Sequence, residues 1–138
     1  MKKIEIQIIK NQVQQTATLE VDRKTRTLIF STHDGLTKKH TAEDLYQCFG
    51  LLRADFPEIT FLCKGAKINV HPSRMSSQMS AGLVAYEVRK GYPTDEDDVV
   101  RIFDYEENDL TNDIKKQENH YKLWIESITP TNRLSTEC

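Results

Sequence analysis

Apolar and polar residues alternate from the start of the chain: Ile4, Ile6 and Ile8 fall on one face of residues 3–9, and Lys3, Glu5 and Gln7 on the other. This period of two predicts a strand buried on one side. Residues 16–22 repeat it with Ala17, Leu19 and Val21. Asp22-Arg23-Lys24-Thr25 then supplies a polar turn, and residues 27–31 (TLIFS), suited to a pleated surface, predict a third strand. Such short connections give an antiparallel meander. Asp34-Gly35 marks a further turn, with room for a short strand before the first helix.

The spacing then lengthens. Thr41 as N-cap, with Glu43 and Asp44 in the first turn, predicts a helix over 42–56, in which Leu45, Cys48, Phe49, Leu52 and Phe56 recur at helical intervals until Pro57 stops the run. Its apolar stripe is expected to cover the meander. Residues 58–63 predict another strand, Lys64-Gly65-Ala66-Lys67 a hairpin turn, and residues 68–70 the partner of that strand. Ser73 is expected to cap a short helix with Met75 and Met79 on one buried face, and Ser76, Ser77, Ser80, Ala81 and Gly82 to let backbone pass close to a neighbour. Residues 83–88 return to strand composition, while the apolar cluster at 99–103 is too short to assign to strand or helix. Thr111 is expected to cap a last helix carrying Ile114, Gln117, Tyr121, Trp124, Ile125 and Ile128, which Thr129-Pro130 ends. The expected fold is a single α+β domain over residues 1–128: an antiparallel sheet with an N-terminal meander and two or three packed helices, followed by a loose tail at 129–138.

Composition supports a globular chain: 38% of the 138 residues are hydrophobic and 29% charged. No apolar run reaches the length of a membrane span. Glu5, Gln7 and Lys10 interrupt what would otherwise read as a signal peptide. Cys48, Cys63 and Cys138 are far apart, which argues against a disulfide framework and for a reducing, cytoplasmic location. The net charge is only −2, but it is unevenly spread. Residues 1–40 carry eight Lys or Arg against four acids, whereas residues 94–109 carry eight acids against Arg101 alone. Without a global basic excess, nucleic acid is not an expected partner.

The chemistry-bearing residues form no local catalytic or metal motif. His33, His40, His71 and His120 lie in four segments without ligand spacing, so a metal site would have to be assembled in three dimensions, for example from His71, Cys63 and a carboxylate. No cofactor is expected. Ser73, Ser76, Ser77 and Ser80 lack a nucleophile elbow. Two other groups stand out. One is the set Lys64, Lys67, His71, Ser73 and Arg74, a candidate anion-binding loop. The other is the acidic block, in which Asp95, Glu96, Asp97, Asp98, Asp104, Tyr105, Glu106 and Glu107 form a candidate surface for a basic protein partner. That block lacks the glycine and terminal glutamate of a calcium-binding hand.

The run from Leu52 to Pro57, the run from Phe61 to Gly82 (FLCKGAKINVHPSRMSSQMSAG) and Ala85-Tyr86 resemble a group of small bacterial proteins. Some of these resemble immunity proteins encoded beside contact-dependent growth-inhibition or other polymorphic toxins. The resemblance covers about residues 45–105. It implies a cytoplasmic, non-enzymatic inhibitor that binds the toxin domain and occludes its active site, the toxin commonly being a nuclease with a basic substrate surface. The alternative is a small enzyme or anion-binding protein using the 64–74 loop.

Overall fold

The computed structural model describes residues 1–129. Its strands β1 (Lys2–Lys10), β2 (Val13–Asp22), β3 (Thr27–Ser31) and β4 (Thr37–Thr41) form the expected meander, extended at one edge by β5 (Thr60–Phe61) into the antiparallel order β4-β3-β2-β1-β5. β2 starts three residues earlier than the alternation suggested. Asn11 and Gln12 both take left-handed backbone angles (φ 53° and 66°), the two-residue hairpin geometry that matches strand twist, and this sets Lys10 opposite Val13. In this register Ile6 faces Ala17, Leu19 faces Phe30 and Val21 faces Leu28, so the alternating apolar residues share one buried face.

Helix α1 (Leu45–Asp55) covers that face with Leu45, Cys48, Phe49 and Leu52, all fully buried, each worth about 1.5–3 kcal/mol if as large as Phe or Leu. Asp44, not Thr41, is its cap. Thr41 ends β4 opposite Thr27, with the two hydroxyls 2.9 Å apart, while the Asp44 carboxylate accepts from the Gln47 amide at 2.7 Å. The chain must leave the sheet before it can turn into a helix, which moves the cap three residues on.

The expected 58–70 hairpin does not form. Residues Lys64–Ala66 make a 3-10 turn, and β6 (Val70–His71) pairs instead with β7 (Val84–Glu87), which also carries β8 (Val99–Arg101), giving a second antiparallel sheet in the order β6-β7-β8. Between β6 and β7 lies α2 (Arg74–Ser80), capped by Ser73, whose hydroxyl accepts from the Ser76 amide at 3.0 Å. Met75 and Met79 are 68% and 74% exposed, so they are surface residues and not the core pair their spacing suggested. The small residues behave as expected. Ala81 and Gly82 end α2 with left-handed angles, the Leu45 amide donates to the Ala81 carbonyl at 2.7 Å, and a side chain at Gly82 would meet Asp44 Cγ at 2.9 Å.

Helix α3 (Ile114–Ile128) is capped by Asp113, which accepts from the Lys115 amide; Thr111 instead accepts from Arg53 through its carbonyl. Gln117 and Trp124 are buried on its inner face, whereas Ile125 is exposed. The expected tail, apart from Thr129, lies outside the described residues. No helix among those described is long and apolar enough to cross a membrane. The described residues form a mixed α+β arrangement of two antiparallel sheets and three α-helices.

Candidate functional site

The acidic block surrounds β8, an outer strand of the second sheet, about 10 Å long at the usual rise per residue. Asp95 to Asp98 precede it and Asp104 to Glu107 follow it. Before the strand, Glu96–Asp98 form a 3-10 turn closed by reciprocal bonds: Asp95 accepts from the Asp97 amide at 2.9 Å, and Asp98 accepts from the Asp95 amide at 3.0 Å. Asp98 is buried in this role and also lies 3.4 Å from Arg89. Asp95, Glu96 and Asp97 are left pointing to solvent.

After the strand the same division recurs. Glu106 turns inward, accepting from the amides of Glu107 and Asn108 at 3.0 Å each, and lies 3.2 Å from both Lys64 and Lys67. Burial acts to raise its pKa, but the two amides and the two ammonium groups outweigh that and hold the carboxyl at about 2. Asp104, Glu107 and Asp109 face solvent. Tyr105, half exposed, donates to Glu107 at 3.0 Å, and its backbone bridges to Cys63, which ties this loop to the core. The eight acids of residues 94–109 therefore separate into two that are buried, Asp98 and Glu106, and six that are exposed before and after β8, of which Asp95 also caps the 3-10 turn.

The basic set from the central loop is divided in two. Lys67 lies 2.5 Å from Glu87 and shares Glu106 with Lys64, so both lysines are neutralised within the fold. His71, Ser73 and Arg74 instead line a separate cleft of about 940 Å³, together with Glu43, Asp44, Tyr46 and residues of α3. The His71 ring stacks on Tyr121 with centroids 4.1 Å apart, and its Nδ1 lies 2.7 Å from the Pro72 carbonyl. A carbonyl only accepts, so Nδ1 carries the proton in the neutral ring and Nε2 is the free acceptor. Burial lowers the His71 pKa and favours that neutral form. Among the described residues no group of three or more His, Cys, Asp or Glu is placed to hold a metal ion.

Two features escaped the sequence reading. Arg53 is fully buried: its Nε donates to the Thr111 carbonyl at 3.1 Å, its Nη2 to Gln117 at 2.5 Å, and the guanidinium sits 4.7 Å from the centre of the Phe49 ring. Only its place on the apolar side of α1, one residue after Leu52, signalled this. Glu43, Glu118 and Arg26 line the cleft from three distant segments, and no local spacing marks them.

No protein-family model matches the chain, and no curated protein matches it. What fold and site define together is an α+β protein with an acidic, tyrosine-bearing surface around an outer strand.

Proposed function

We propose that the protein is a cytoplasmic immunity protein: a non-enzymatic inhibitor that binds a cognate bacterial toxin domain with a basic, nuclease-like substrate surface and occludes its active site. The observation that carries this reading is the set of six solvent-facing carboxylates, Asp95, Glu96, Asp97, Asp104, Glu107 and Asp109, around β8, with Arg101 the only basic residue in that stretch. Like charges gathered this way repel one another in the free protein and gain when a positive surface covers them. Tyr105 adds a half-exposed aromatic of the type that anchors protein interfaces. Asp98 and Glu106 serve the reading indirectly, by fixing the backbone that carries the others.

The resemblance of residues 45–105 to a group of small bacterial proteins, some of which resemble immunity proteins encoded beside toxins, supports the same reading. Co-expression tests it. Producing this chain together with the C-terminal domain of a polymorphic toxin encoded beside it is expected to restore growth of the host cell. Growth arrest that persists with both proteins present contradicts the proposal.

A further inference from the structure

The cleft beside His71 is built differently from the acidic surface and lies on other elements: the turn before β3, the start of α1, the β6–α2 connection and α3. Five charged residues line it; Asp44 is engaged by the Gln47 amide and the Ser77 hydroxyl, and the side chains of the other four, Arg26, Glu43, Arg74 and Glu118, make no ion pair or hydrogen bond with another described residue. Beside the engaged Asp44, two unpaired charges of each sign surround one space of about 940 Å³.

Arg26 is the most telling of the four. Its backbone is left-handed (φ 53°), a conformation that glycine or asparagine adopts at least cost and that other residues occupy at a cost of roughly 1–2 kcal/mol. Its Nε is buried without a hydrogen-bond partner. The left-handed angle closes the β2–β3 turn, as at Asn11, but a buried donor left unsatisfied on the cleft wall adds nothing to stability and fits a group kept for a ligand.

The wall also limits what that ligand is. Tyr46, His71 and Tyr121 form a ladder along it with successive centroids 5.1 and 4.1 Å apart, which Trp124 continues outside the cleft at 5.5 Å. The faces of His71 and Tyr121 are thus turned to one another and to their neighbours, so a flat base or ring finds edges, not a stacking platform. What the cleft offers is charge of both signs, the His71 Nε2 acceptor and a size at the upper end of that of ligand pockets. We infer that it is a second binding site, for a segment of polypeptide that carries an acidic and a basic side chain within a few residues of each other, the acid meeting Arg26 and Arg74 and the base meeting Glu43 and Glu118. This site is independent of the toxin-binding surface.

Fluorescence polarisation with labelled hexapeptides tests the inference on the whole chain. One set pairs Lys or Arg with Asp or Glu at separations of up to four residues; control sets are all-acidic or all-basic. Mixed-charge peptides are expected to bind at least tenfold more tightly than either control. Arg26→Gly and Glu118→Gln are each expected to weaken that binding at least tenfold, with the melting temperature of Arg26→Gly no lower than that of the parent. Reversing the charges of Asp95, Asp97 and Glu107 is expected to leave peptide affinity unchanged, so failure here is distinct from failure of the immunity reading. Three results would each overturn the inference: mixed peptides binding no better than controls, peptide affinity undiminished by Arg26→Gly, or a melting temperature that falls together with binding. Displacement of the peptides by a free amino acid at equal concentration would overturn it too, by assigning the cleft to a small zwitterion.

Discussion

Arg53 carries a full charge into the core with no carboxylate in ion-pair contact among the described residues. Burial lowers its pKa to about 10, so it remains a cation at neutral pH, held by Gln117, the Thr111 carbonyl and the face of Phe49. Gln117 in turn donates to the carbonyls of Gly65 and Lys67 at 2.8 Å each, so one polar chain joins α1, α3 and the 3-10 turn. Arg53→Ala should cost about 3–5 kcal/mol in urea denaturation, because it opens a cavity and strands Gln117 Oε1 and the Thr111 carbonyl. Arg53→Lys should restore only part of this, since an ammonium lacks the planar fork that reaches both acceptors. The thiols offer a second check. Burial pushes Cys48 up to about 11 and Cys63 up to about 12, so both should resist alkylation in the folded protein and react on unfolding, read peptide by peptide by mass spectrometry. Glu106 sets an acid limit: its carboxyl, at about 2 against an ordinary 4.5, gives stability that is complete above pH 4.5 and lost as the pH falls toward 2. Glu106→Gln should flatten the stability profile across that window.

Among the elements, the close approach of the 3-10 turn to its neighbours matters most. A Cβ on Gly65 would lie 2.7 Å from Ile102 Cβ and 3.0 Å from the Ile102 carbonyl, and backbone does not yield as a flexible side chain does. Gly65→Ala should therefore destabilise by roughly 1–3 kcal/mol, measured by thermal or urea unfolding. This turn is also where sequence reasoning failed. The meander and α1 were legible because each repeats its own period over enough residues, as in Ile4, Ile6 and Ile8 or Leu45, Cys48, Phe49 and Leu52. The second sheet has strands of two, four and three residues, too short for a period, and the Gly65 amide bonds across to the Ile102 carbonyl, a contact set by the tertiary path. Caps failed for a related reason: Thr41 and Asp44, like Thr111 and Asp113, are all able to cap, and the route of the chain chooses between them. The acidic block was visible as composition, but nothing local distinguished inward-turned Asp98 and Glu106 from outward-facing Asp97 and Glu107.

For the whole molecule, the proposed function rests on charge acting across an interface. The net charge is only −2, so steering cannot come from the protein as a monopole and must come from the local field of the carboxylates around β8. Such a field is screened over about 10 Å at 0.1 M salt, so it acts on approach and fades as salt rises. The most direct test is the association rate constant with the toxin domain, measured by stopped flow at low and high salt for the parent and for a variant combining Asp95→Lys, Asp97→Lys and Glu107→Lys. All three positions are solvent-facing, but Asp95 accepts from the Asp97 amide and Glu107 from Tyr105, so the variant should stay folded and melt slightly below the parent. Association should slow about tenfold or more at low salt, with the two proteins converging as salt is raised. An association rate unchanged by the three reversals at low salt would contradict the assignment of this surface to the partner.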